Sequence, residues 1–151
     1  MSGNYTDTTD RAILNWTTGT SLGGWVPPTT VYVALLTADP SIIAAIPTDP
    51  HLSELTELSA TGYSRQVVTF SSASSPGSGG LSQIQNSNLV TFGPFTGASG
   101  SSTATTFGAL VDHATGTTGQ VIQTWQWDNP IVVPQGQSIT IPIGDLTLTQ
   151  Q

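Results

Sequence analysis

The chain contains no cysteine and no lysine, and besides two histidines its basic residues are Arg11 and Arg65. Without cysteine there are no disulfides, thiol nucleophiles or Cys-type zinc sites. Nucleic-acid binding needs Lys and Arg to displace phosphate counterions, and two arginines do not supply that. The same scarcity argues against a polybasic or basic amphipathic membrane anchor. Neither nucleic acid nor membrane is therefore expected as a partner. Long apolar runs are also missing: residues 31–36 and 42–46 are far too short to cross a bilayer. Met1 to Asp10 is polar and acidic with no apolar h-region, so no secretory signal is read there and cytoplasmic synthesis is expected.

Charge of either sign is sparse. Only 7% of the 151 residues are Asp, Glu, Lys or Arg, against roughly 25% in an average soluble protein. The net charge is −7, and the hydrophobic content of 36% is too high for a chain disordered by low hydrophobicity. Solubility must come from Thr, Ser, Asn, Gln and backbone. Such a surface has few long flexible side chains, so burying it sacrifices little rotamer entropy. Neutral polar groups are also cheaper to desolvate than charges. Both properties suit a protein embedded in an assembly, although a secreted β-domain has the same composition.

The length fits one domain with a real core. Residues 1–9 read as an N-terminal arm without core pattern, and residues 10–151 as a single β-rich domain. Thr9 or Asp10 is placed to N-cap a short helix over Arg11–Trp16, ended by Gly19, with Ile13, Leu14 and Trp16 facing the body. Val31–Thr37 is a continuous apolar run bounded by turn residues, the pattern of a strand buried on both faces. Residues 41–60, broken by Pro47 and Pro50, read as an irregular excursion, with one helical turn or a loop at 52–58. Tyr63–Phe70 reads as a strand on its β-branched and aromatic content. Ser71–Gly80 is Ser/Gly-rich and reads as a flexible surface loop or hairpin tip. Further strands are expected at 88–95, 106–111, 120–127, 131–133, 137–143 and 146–148. Ile139, Ile141 and Ile143 alternate with Ser138, Thr140 and Pro142, giving one apolar face, and Pro142 marks an edge or a bend. Short strands at this turn spacing predict a mainly β fold, a single-domain β-sandwich or jelly-roll-like body with one short N-terminal helix.

Catalysis needs titratable groups held together, and the stock is small. Asp39, Asp49 and Asp128 lie within two residues of a proline and Asp145 follows Gly144, all turn or capping placements. Asp112-His113 is the most reactive-looking pair, but neighbours on a strand point to opposite faces. Glu54 and Glu57, at i, i+3, read as solvated like charges. No Gly-x-Ser-x-Gly elbow is present, and Gly77-Ser78-Gly79-Gly80 lacks the Lys-Ser/Thr of a phosphate loop. No enzyme activity, metal or cofactor is expected. The candidate partner-interface residues are Tyr5, on the arm; Trp25, in a Gly/Pro-rich turn; Arg65, expected either to pair with a carboxylate across a strand or subunit or to be exposed; and Trp125 and Trp127, which share a strand face and serve either as core or as an interface hot spot.

The ordered set of a helix around Ala12–Trp16, then Val31–Thr37, Gly62–Phe70, Asn88–Phe95, Phe107–Asp112 and a closing Gly136–Leu148 resembles small virion proteins of tailed bacteriophages. That group is often labelled loosely as tail-fibre proteins and includes capsid cement, or decoration, proteins. The resemblance implies a homotrimer docked on the outer surface of the major capsid protein lattice, stabilising the head. A tail-associated fibre, tip or collar component is the alternative. A carbohydrate-binding β-sandwich using Trp25, Trp125 and Trp127 as a sugar platform is a third.

Overall fold

The apolar run at 31–36 becomes an interior strand of the main sheet, because side chains on both its faces find another layer. In the computed structural model, which describes residues 4–20, 26–44, 46, 49–74, 82–96, 104–132 and 135–149, the strands are β1 (Asn4–Tyr5), β2 (Val31–Leu36), β3 (Gln66–Val68), β4 (Gln83–Gln85), β5 (Val90–Phe92), β6 (Ala104–Val111), β7 (Val121–Val132), β8 (Ile139–Ile141) and β9 (Thr147–Thr149). Helix α1 spans Asp7–Thr17, a short α2 spans Pro40–Ile43, and Leu52–Glu54 form one 3-10 turn. Among these helices none is long and apolar enough to cross a membrane. The chain is mainly β with a short N-terminal helix, as its strand pattern predicts.

The main sheet has the order β1-β7-β6-β2-β3, and β4-β9 and β5-β8 form two further antiparallel pairs. A core of Val33, Leu35, Val68, Leu110, Trp125 and Trp127 from the main sheet meets Val90, Phe92, Ile139, Ile141 and Leu148 from the two smaller pairs. The opposite face of the main sheet is a second cluster in which Ala34, Leu36, Ala109, Val111 and Val121 pack on Leu52. Val33, Ala34, Leu35 and Leu36 are accordingly all at 0% exposure. Burying a Val or Leu side chain contributes about 1.5–3 kcal/mol each, so β2 anchors both layers.

Asn86 joins the smaller pairs to each other. Its side chain, 1% exposed with its residue, donates from Nδ2 to the carbonyls of Asn88 (2.9 Å) and Pro142 (2.8 Å) and accepts at Oδ1 from the Leu146 amide (2.9 Å). Asn88 in turn finishes the β3 edge. Its Oδ1 accepts from Thr69 N at 2.8 Å and its Nδ2 donates to the Val67 carbonyl at 3.1 Å, standing in for a neighbouring strand.

Several expectations are corrected. The segment 4–9 is no free arm: Asn4 and Tyr5 pair with Thr124 and Gln123, and the helix starts at Asp7. Thr6, not Thr9 or Asp10, is the N-cap; its Oγ1 accepts from Thr9 N and donates to the Val121 carbonyl at 2.9 Å, tying the cap to β7. Thr9 and Ala12 face the body, whereas Leu14 and Trp16 are 64% and 69% exposed. The expected strands at 120–127 and 131–133 are one continuous strand, β7, and β1 and β4 were not expected. Ile143 does not continue the Ile139/Ile141 face, because β8 ends before Pro142 and the chain turns, leaving Ile143 64% exposed. The Gly/Ser tip at 75–80 lies outside the described residues, but Ser74 and Gln83 exchange both backbone hydrogen bonds at 2.9 Å, closing the hairpin below it.

Candidate functional site

Chain segment 56–58 runs beside the end of β2: Thr37 N donates to Thr56 O (2.9 Å) and Leu58 N to Leu35 O (2.8 Å). This register aims Glu57 at Tyr63 and Arg65. Arg65 Nε donates to both carboxylate oxygens of Glu57 (3.0 and 3.1 Å), and its Nη2 donates to Oε1 as well. The guanidinium also donates to the carbonyls of His113 (2.9 Å) and Gly116 (2.8 Å) in the β6–β7 turn. Tyr63 completes the set, donating from Oη to Glu57 (2.9 Å) and accepting from Leu35 N (3.1 Å), with its ring stacked on Phe92. Burial, followed by the adjacent Glu57 charge, pushes the Tyr63 hydroxyl far above its ordinary range.

This places Arg65 inside one subunit. Its side chain is 5% exposed, and Nε, Nη1 and Nη2 each donate to Glu57 or to a turn carbonyl of the same chain, so its charge is paired internally and not presented at the surface. The arrangement holds no nucleophile; it clamps the 113–116 turn against segment 57–65. Glu57 is correspondingly not a solvated charge, and Glu54 accepts from the His51 amide at 2.8 Å, capping the 3-10 turn.

The Asp112-His113 pair does form, against the strand-parity argument. Strand β6 ends at Val111, so both side chains lie in the turn, and His113 Nδ1 meets Asp112 Oδ1 at 2.7 Å. The same oxygen accepts from Gln120 N at 2.7 Å. A Cβ on Gly119, whose φ is +130°, would press on both side chains, so only glycine fits there. Gly119 also lines a cleft of about 230 Å³ with Thr8, Asp49, Pro50, His51, Gln120 and Val121. Asp49 is engaged there, accepting from Thr8 N (3.2 Å) and Thr8 Oγ1 (2.8 Å) at the start of α1. Among the described residues no group of three or more His, Cys, Asp and Glu side chains is placed to hold a metal ion.

Trp125 and Trp127 are core residues, 4% and 7% exposed, in edge-to-face contact with ring centroids 5.6 Å apart. Trp125 lies flat over Gly108, where its Nε1 is 2.6 Å from the position a Cβ would take. They offer no face to a sugar or partner. Beside them Gln123 is at 0% exposure. Its two amide atoms and both indole nitrogens are enclosed without a hydrogen-bond partner. Each such group costs about 1–3 kcal/mol when left unmatched. Tyr5 is half-buried against the main core, and burial and then the charge of Asp10 raise its hydroxyl pKa. Burial and then Asp7 raise that of Asp10. Trp25 lies outside the described residues.

The described interface candidates, Tyr5, Arg65, Trp125 and Trp127, thus do not form one exposed surface. Among the described residues the large apolar groups most open to solvent are Leu14, Trp16, Val26, Ile42 and Ile143, each 64% exposed or more. Periodicity alone had assigned Leu14, Trp16 and Ile143 to the core. The cue for exposure was the short Ala/Thr stripe of Thr9 and Ala12, small residues that let α1 sit close to the sheet.

The family described as Podophage GP4 fiber I protein gp80 matches residues 4–149 of this chain. No curated protein matches it.

Proposed function

Because the chain belongs to the podophage GP4 fiber I protein gp80 family and so is a structural protein of a bacteriophage particle, we propose that it is a tail-associated fibre component. The observation that carries this reading is the family's match across residues 4–149, which spans every described residue. The protein acts by packing against other virion proteins, with no catalytic role. The sparse charge, 7% of residues, supports it: a neutral polar surface is cheap to desolvate in a permanent contact. Exposed Leu14, Trp16, Val26 and Ile42 add apolar contact area. Self-assembly as a homotrimer belongs to the same proposal.

Capsid cement is the second reading, favoured by the order of segments from the Ala12–Trp16 helix to Gly136–Leu148. In that case trimers bind the major capsid protein on the outer surface of the head, each contact burying an area of roughly 1,600 Å². Quantitative mass spectrometry of purified particles, with labelling of the chain in electron micrographs, separates the two. A low copy number with label at the tail is expected. Label spread over the head, in numbers comparable to the capsid subunits, refutes the fibre reading in favour of cement. Absence from purified particles refutes both.

A further inference from the structure

Among the described residues, three successive inward side chains of β7 carry the four buried side-chain polar atoms without a hydrogen-bond partner: Gln123 Nε2 and Oε1, Trp125 Nε1 and Trp127 Nε1. Alternate positions on a strand share one face, and Trp125 and Trp127 both belong to the main core on that face. Leucine or phenylalanine would fill the same space without the polar cost. The three residues are moreover framed by ladder irregularities. The β6–β7 register shifts between Leu110 and Val111, next to Gln123, and between Thr105 and Phe107, next to Trp127. Such shifts leave backbone groups out of the ladder and disturb it locally.

The chemistry of the set narrows what meets it. Each indole is a donor only, while the amide brings two donors and one acceptor oxygen. Side chains two apart on a strand lie about 6.7 Å from one another along it, and four apart about 13 Å. The Gln123 oxygen therefore does not reach both indoles. An anion would suit the donors, but inside an apolar core of a chain with net charge −7 it would be costly to desolvate. A small neutral molecule with both acceptor and donor capacity matches this set of groups, and water has the size and valence for it.

We infer that the inner face of β7 is a buried hydration site, in which ordered water molecules link the Gln123 amide to the indole N–H groups of Trp125 and Trp127. The water satisfies donors that no protein group reaches and fixes the amide and both rings in one arrangement. This inference is independent of where the protein sits in the virion.

A high-resolution crystal structure of the unmodified full chain tests it directly. Ordered water within about 3.2 Å of Gln123 and of both indole nitrogens is expected. A dry site, or indoles bonded directly to protein carbonyls, overturns the inference. Gln123→Met, which keeps the length of the side chain but removes the amide, gives a second readout. With the waters anchored by Gln123, the variant melts at a lower temperature and its crystal loses the bridging water. A dry amide predicts the reverse, a higher melting temperature, and that outcome also overturns it.

Discussion

Replacing Arg65 with methionine tests whether the Glu57–Tyr63–Arg65 clamp holds the two halves of the chain together. Methionine keeps an unbranched stem of similar reach and removes the guanidinium. The Arg65 side chain is 5% exposed and that of Glu57 22% exposed. Removing one partner of a buried ion pair costs about 3–5 kcal/mol, chiefly because the other charge stays behind unpaired. Glu57 retains the Tyr63 hydroxyl and some contact with water, which puts the loss at the lower end, about 3 kcal/mol. The carbonyls of His113 and Gly116 belong to an exposed turn, where water replaces the lost donors at little cost. Against a total stability of about 5–15 kcal/mol the effect is large. In a domain of this size it lowers Tm by roughly 6–12 °C. Urea unfolding followed by circular dichroism measures the change. The double variant Arg65→Met/Glu57→Gln should lose less than the sum of the two single variants, since each alone already breaks the pair. A cost below about 1 kcal/mol, the range of an exposed pair, or strict additivity in the cycle, would refute the reasoning.

Gly108→Ala drives a methyl into the Trp125 ring; a loss of about 1–3 kcal/mol is expected from overpacking, read from the urea midpoint, and an unchanged midpoint contradicts the packing described. Asn86→Asp replaces an amide that donates to the Asn88 and Pro142 carbonyls with a carboxylate facing them, so the variant should be strongly destabilised at neutral pH and partly recover in acid, where the carboxyl is protonated; calorimetry across pH checks this, and equal stability at both pH values counts against it. Tyr63 ionises at its ordinary value of 10.0 in the unfolded chain and only well above it in the fold. Its contribution to stability is therefore complete below pH 10 and is lost as pH rises from there towards the folded value, at about 1.4 kcal/mol per pH unit. Tyr63→Phe should flatten that alkaline decline, leaving the weaker part due to Tyr5, and parallel curves for the two proteins would exclude the assigned role.

Much of the fold was legible because its signals are local. The uninterrupted apolar run of β2 and the β-branched stretches of β6 and β7 report their own conformation. So did the turn placement of Asp39, whose carboxylate accepts from Ser41 N at 2.9 Å and caps α2. Two-residue β1 and three-residue β4 carry too few residues for any period to show, and they are strands only because β7 and β9 supply their partners. The local pattern predicts the helix but not which of its faces meets the sheet. Leu14 and Trp16 match the helical pattern, yet the sheet accepts the small Thr9 and Ala12 instead. The clamp was only half visible: Arg65 was expected to find a carboxylate if it was not exposed, but nothing local pointed to Glu57, eight residues earlier on another segment.

By itself the sequence determined a mainly β chain with a short N-terminal helix, no thiol chemistry, and a surface nearly free of charge. These follow from composition and from residue-to-neighbour preferences, which need no knowledge of distant contacts. Tertiary structure alone decided that Trp125 and Trp127 are core, that Tyr5 belongs to a strand, that Arg65 is spent within its own subunit, and that Gln123 is enclosed. The reason is common to all four. Burial in a layered β fold depends on which face of a strand meets the second layer, and that is set by pairings such as Tyr5 with Gln123, far apart in the chain.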